Sequence, residues 1–102
     1  MADSFKPTDA MAAAARRGLR MRESSSPSNQ GGTAVGLARA RQFADQESVS
    51  IDVVRRTYSF LSRARTYYRP GKNTPGTQAY LLWGGPAGLV WARRILDQIE
   101  KE

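Results

Sequence analysis

The sequence contains neither cysteine nor histidine. Without cysteine there is no disulfide framework and no thiolate zinc site. Without histidine the commonest metal ligand and the commonest general base are both missing. Acidic residues are few, 9 against 16 Lys and Arg, for a formal net charge of +7. None of the carboxylates (Asp3, Asp9, Glu23, Asp45, Glu47, Asp52, Asp97, Glu100, Glu102) pairs with another in an apolar setting that would raise a pKa. Most fall near predicted helix ends, and of these Asp9 and Asp52 stand in first turns, where a carboxylate complements the helix dipole. These absences predict a non-enzymatic protein with no catalytic residue, no metal, no cofactor and no small-molecule substrate. Long apolar runs are missing too. No stretch approaches the ~20 residues of a membrane span, and the alanine-rich start at Ala10–Ala15 is broken by Arg16 and Arg17. The N-terminus also lacks a basic region followed by an apolar run, so neither membrane insertion nor export is expected, and an intracellular product is.

What is present fits one small helical domain. In 102 residues, 40% of them hydrophobic, a modest core is the most that can form. Residues Met1–Pro7 read as a tail. Thr8 is a candidate cap for a helix to about Glu23, rich in Ala, Met, Leu and Arg. The run Ser24–Gly32 has the composition of a flexible linker. This divides the chain into 1–32 (tail, first helix and linker, the helix docked or mobile) and a helical domain over 33–102. A second helix is predicted from after Thr33 to near Gln46, with Leu37, Ala40, Phe43 and Ala44 on one stripe. The third has the clearest periodicity: Ser50 caps it, and Val53, Val54, Thr57, Phe60, Leu61, Ala64 and Tyr68 share a face. Thr74-Pro75 opens a short helix through about Trp83, the pair Gly84-Gly85 stops it, and Pro86 starts the last. There Leu89, Trp91, Ala92, Leu96, Ile95 and Ile99 form the apolar stripe, with Arg93, Arg94, Asp97 and Lys101 opposite. No segment alternates at period two. The expected fold is an all-α bundle of four to five short helices.

The basic residues, almost all arginine, come in sets: Arg16, Arg17, Arg20 and Arg22; Arg39 and Arg41; Arg55, Arg56, Arg63, Arg65 and Arg69; Arg93 and Arg94. A guanidinium's planar fork of donors matches phosphate oxygens. The candidate polyanion-binding residues are Arg39, Arg41, Arg55, Arg56, Arg63, Arg65, Arg69 and Lys72, with Tyr67 as a candidate for stacking on a base. A plain alternative is that these charges are the solvated faces of amphipathic helices. An acidic protein surface, of a capsid or a host enzyme, would satisfy them as well as nucleic acid does. Tyr68 continues the apolar face of its helix, whereas Tyr67 lies off it. The glycine pair before Pro86 is either an anion-holding helix start or simply a helix stop. Gly31-Gly32-Thr33 lacks the lysine of a phosphate-binding loop.

The blocks Gly31-Gly32-Thr33-Ala34-Val35-Gly36-Leu37-Ala38-Arg39-Ala40-Arg41-Gln42, then Ser50 to Phe60, then Ala79-Tyr80-Leu81-Leu82-Trp83-Gly84-Gly85 and Trp91-Ala92, occur in this order. The pattern resembles an uncharacterised small domain of tailed bacteriophages, found alone or attached to head-related phage proteins. The likeness runs from about Ala12 to Arg94. That family carries Arg-His-Glu where this chain has Arg63-Ala64-Arg65, and an acidic residue where it has Pro86, so no role of that histidine or acid transfers. The resemblance implies a virion or a DNA-associated role, with the protein in the host cytoplasm during infection, in the virion, or both. Three functions follow as expectations. The first is a non-catalytic protein contacting nucleic acid through arginine-rich helix faces. The second is a virion structural protein that cements or decorates the capsid or associates with the head, and the third a modulator of a host nucleic-acid enzyme.

Overall fold

A computed structural model describes residues 4–101. Among them lie five helices: α1 (Asp9–Glu23), α2 (Ala34–Ala44), α3 (Ile51–Ala64), α4 (Pro75–Leu82) and α5 (Gly85–Lys101). Short 3-10 turns at Pro27–Asn29 and Arg65–Tyr67 follow α1 and α3. The architecture is the expected all-α bundle; the described residues form no strand, only an antiparallel bridge between Phe5 and Val49. Four helices start where a hydroxyl satisfies an otherwise orphaned amide. Thr8 accepts from Met11 N, Thr33 from Gly36 N, Ser50 from Val53 N and Thr74 from Thr77 N. Gly84 and Gly85, at φ 101° and 60°, end α4 and allow α5 to leave at once.

The shortest helix is the central one. In α4 the buried residues Thr77, Gln78, Tyr80, Leu81 and Leu82 spread over about 200° around the axis, so more than half of the helix surface is enclosed. The helix α1 crosses it at Gly18, where an added Cβ would lie 2.9 Å from the Leu82 backbone nitrogen. On its other sides α1 meets α2 and α5, and α3 packs along α5. The core that results holds Met11, Phe43, Val54, Leu61, Tyr80, Leu82 and both tryptophans. Within it Phe43 meets Trp91 edge-on, and at its edge the half-buried Tyr68 stacks on Tyr80.

Of the two expectations for the first helix, docked or mobile, the structure has it docked: Met11 and Ala15 of α1 are fully buried in the common core. The Ser/Gly stretch after α1, expected to be a flexible linker, is tied down too. Gln78, buried within α4, accepts from Gly31 N (2.8 Å), and its amide nitrogen lies 3.0 Å from Ser25 Oγ and 2.7 Å from Asn73 Oδ1. Arg22 and Gln30 bond back across the same turn. The described part of the presumed tail is tied as well. Trp91 Nε1 donates to the Lys6 carbonyl, and Phe5 and Val49 exchange backbone bonds. Gln46, held at φ 52°, donates to the Pro7 carbonyl and to Asp9 Oδ1. Met1–Asp3 of that tail lie outside the described residues.

Candidate nucleic-acid interface

The helix α3 carries the candidate site on the flank away from α5. At ~100° per residue, Arg56 and Arg63 stand within about 20° of each other on its surface, with Phe60 between them and the core. Arg55 projects roughly a quarter-turn away and makes the one ion pair among the described residues, 3.6 Å from Asp52 Oδ1. Both partners of that pair are exposed, so it contributes little.

Two adjoining hollows lie beside Arg63. One, of about 310 Å³, is lined by Phe60, Arg63, Ala64, Tyr67, Gly76 and Ala79. The other, of about 250 Å³, brings Arg56 and Trp83 to the same Phe60 and Arg63. Phe60 and Trp83 are stacked, with ring centroids 5.4 Å apart and planes inclined by 28°. Tyr67, in the turn after α3, is 67% exposed, an aromatic left in water at the rim of an apolar hollow. Its neighbour Tyr68 turns inward onto Tyr80, as its helical register predicts. Gly76 makes this arrangement possible: a Cβ there would fall 2.9 Å from both Cβ and the carbonyl oxygen of Tyr67. The first turn of α4 therefore sits directly against the Tyr67 backbone. Arg63 donates from Nε to the Ser59 carbonyl (3.2 Å), which steadies the guanidinium while its terminal nitrogens stay available.

The other sequence candidates are placed elsewhere. Lys72 lines a separate hollow of about 260 Å³ between α1 and the loop before α4, where it is joined by Arg17. Arg69, exposed, donates to the carbonyls of Thr66 and Tyr68 and so closes its own turn. Arg65 lies close enough to Tyr80 to favour that phenol's ionisation, but burial outweighs it and the Tyr80 pKa is raised above its ordinary value. On α2, Arg39 is half-buried, donating to Gln42 Oε1 (2.9 Å) while its Nε has no partner; Arg41 is exposed. Of the sequence candidates, Arg56, Arg63 and Tyr67 are thus brought to one groove.

Sequence reasoning missed several contributors. Phe60 and Trp83 read as core residues, yet each also walls the groove. Arg16 and Arg22, grouped with the other basic residues, bond to backbone: Arg16 to the Ala44 carbonyl at the end of α2 (2.6 Å), Arg22 to the Gly31 carbonyl (2.9 Å). A cation at a helix C-terminus also complements the dipole. The glycine pair at the start of α5 is buried against Met11 and Ala14 of α1, which accounts for it as a packing device. Among the described residues no three acidic, histidine or cysteine side chains gather as metal ligands, and no helix is long and apolar enough to cross a membrane. Compared with protein-family models, curated proteins and solved structures, the chain matches none.

Proposed function

We propose that this is a non-catalytic protein that binds nucleic acid through the Arg56–Arg63 flank of α3, in the phage setting its sequence blocks suggest. The observation that carries the reading is the conjunction of two unpaired, exposed arginines with bare aromatic surface in one groove. Arginine neutralises phosphate without needing a particular sequence, and aromatic faces accept any base. No carboxylate lines either hollow, and Asp52, one turn before Arg56 on α3, is engaged by Arg55.

Titration of the full chain into labelled single-stranded and duplex DNA over a series of salt concentrations tests this. Binding is expected to weaken with salt, and the double variant Arg56→Ala/Arg63→Ala should flatten the log–log slope by about 1.4–1.8, the release accompanying two phosphate contacts. Absence of binding to either form at low salt, with helicity intact by circular dichroism, rejects the proposal.

A second reading rests on a different observation. Arg41, Arg93 and Arg94 are exposed on α2 and α5, away from the α3 groove, and a broad acidic protein surface such as a capsid shell suits charges spread in this way. A structural protein of that kind would copurify with particles at fixed stoichiometry.

A further inference from the structure

We infer that the groove takes a single strand, seating one unstacked base against Tyr67 and Phe60 while Arg63 and Arg56 hold the flanking phosphates; the inference rests on the nucleic-acid reading above. The groove is closed on one side by α3 and on the other by the first turn of α4. At about 310 Å³ the hollow beside Tyr67 is near the lower end of the ~300–1,000 Å³ of small-ligand pockets. That is room for one planar group and not for a helix of nucleic acid. Four of its six lining residues, Phe60, Ala64, Gly76 and Ala79, offer only apolar side-chain surface or none. What enters it must therefore present an apolar face, and the arginine at its edge requires that the same molecule carry negative charge. A base attached to a phosphate backbone meets both conditions. In a duplex the base faces are stacked on each other and out of reach of Tyr67, so a double strand would engage the arginines alone.

The geometry also bears on sequence preference. Among the side chains that line this hollow, only the Tyr67 hydroxyl and the Arg63 guanidinium could hydrogen-bond a base edge. Discrimination among bases needs several donors and acceptors in fixed positions. The seat is accordingly one for any base, with at most a modest preference for those that stack well. The contact Gly76 makes with the Tyr67 backbone fixes where the ring begins, so the stacking platform is held in place before a strand arrives.

The experiment compares binding of the full chain to three oligonucleotides of equal length: a single strand, its duplex, and a single strand made wholly of abasic sites. The expected order is single strand tightest, by about tenfold or more, with duplex and abasic strand similar. Tyr67→Ala should weaken single-strand binding about 5- to 150-fold, the range for one lost base–aromatic stack, leaving duplex affinity and the salt slope unchanged. Tyr67→Phe, which keeps the ring, should restore it. Because Tyr67 is exposed, its replacement leaves the core intact, and circular dichroism confirms that. Equal affinity for all three oligonucleotides, with Tyr67→Ala neutral, overturns the base seat while the arginine contact stands. No binding to any of them at low salt overturns both, and tight binding of an acidic peptide under those conditions would mark the groove as a protein site instead.

Discussion

Replacing Gln78 with Ala should cost the fold about 3–4 kcal/mol, although the residue touches no proposed ligand. The magnitude comes from its surroundings. Gln78 is fully buried, and its Oε1 is the acceptor for the Gly31 amide at 2.8 Å, a group that is itself buried. Deleting the side chain strands that amide, at roughly 1–3 kcal/mol. Its Nε2 carries two hydrogens for the three acceptors Ser25 Oγ, Asn29 O and Asn73 Oδ1, so two bonds of about 1 kcal/mol each are lost in addition. Ser25 is half-buried and Asn29 and Asn73 are exposed, so water replaces part of that loss. A domain of this length holds roughly 5–15 kcal/mol in all, and the midpoint of thermal unfolding should fall by about 12–25 °C. Urea and thermal melts followed by far-ultraviolet circular dichroism measure the loss, and hydrogen exchange at the Gly31 amide locates it. Gln30→Ala is the control, because its acceptors, the carbonyls of Arg22 and Ser25, are within reach of water; about 1 kcal/mol is expected there. A loss below about 1 kcal/mol for Gln78→Ala, with Gly31 still protected from exchange, would refute the role of Gln78 as the tie between α4 and the Ser/Gly segment.

Two further outcomes follow from the packing. Gly18→Ala gains about 1 kcal/mol of helix propensity, but its methyl would sit 2.9 Å from Leu82 N and 3.2 Å from the Gln78 carbonyl. Backbone atoms cannot step aside, so α1 must lift from α4, and a net loss of about 1–2 kcal/mol in urea melts is expected. Burial raises the Tyr80 pKa, so between the unfolded value near 10 and the higher folded value the native state binds more protons than the unfolded state. The contribution of Tyr80 to stability should be constant below pH 10 and fall as pH rises beyond it. Denaturation midpoints taken from pH 8 upward check the sign, and Tyr80→Phe should remove that part of the decline.

The sequence made the helices legible because their start signals are local. Thr8, Thr33, Ser50 and Thr74 each act within three residues, and all four accept the bonds expected of caps. The face of α3 was legible for a similar reason: Val54, Thr57 and Leu61 repeat at helical spacing and are its buried residues. What escaped notice depends on partners far along the chain. Gln78 reaches residues 47 to 53 positions away, and a glutamine within a mostly apolar helix carries no local sign of that. The same holds for Gly18 and Gly76, whose missing side chains matter only because another backbone passes within 3 Å. Of the groove, Tyr67 stood out because it lies off the apolar face of its helix. Phe60 and Trp83 did not, since an aromatic on a core-facing register can be buried on one edge and form a wall with the other. Composition could not decide which arginines converge, because that depends on how the helices are packed.

The excess of positive charge separates into groups once each guanidinium is followed to its partner. Arg16 bonds to the backbone at the end of α2 and Arg22 to the turn after α1, and Arg69 closes its own loop. Arg55 is matched by Asp52. Arg16, Arg22 and Arg69 thus have a structural reason to be arginine, and their mutation should be read in stability, whereas the exposed Arg55 pair contributes little. Arg56 and Arg63 lack an acidic partner among the described residues and stand beside Tyr67, an aromatic ring that folding leaves in water. Burying such a ring would stabilise the domain by about 1.5–3 kcal/mol, a large fraction of what a core this small supplies. The uncovered ring and the unpaired charges sit at the same groove. Under the proposed reading they are explained together: the arginines draw a phosphate backbone to the groove, and the ring gives an unstacked base a surface to cover.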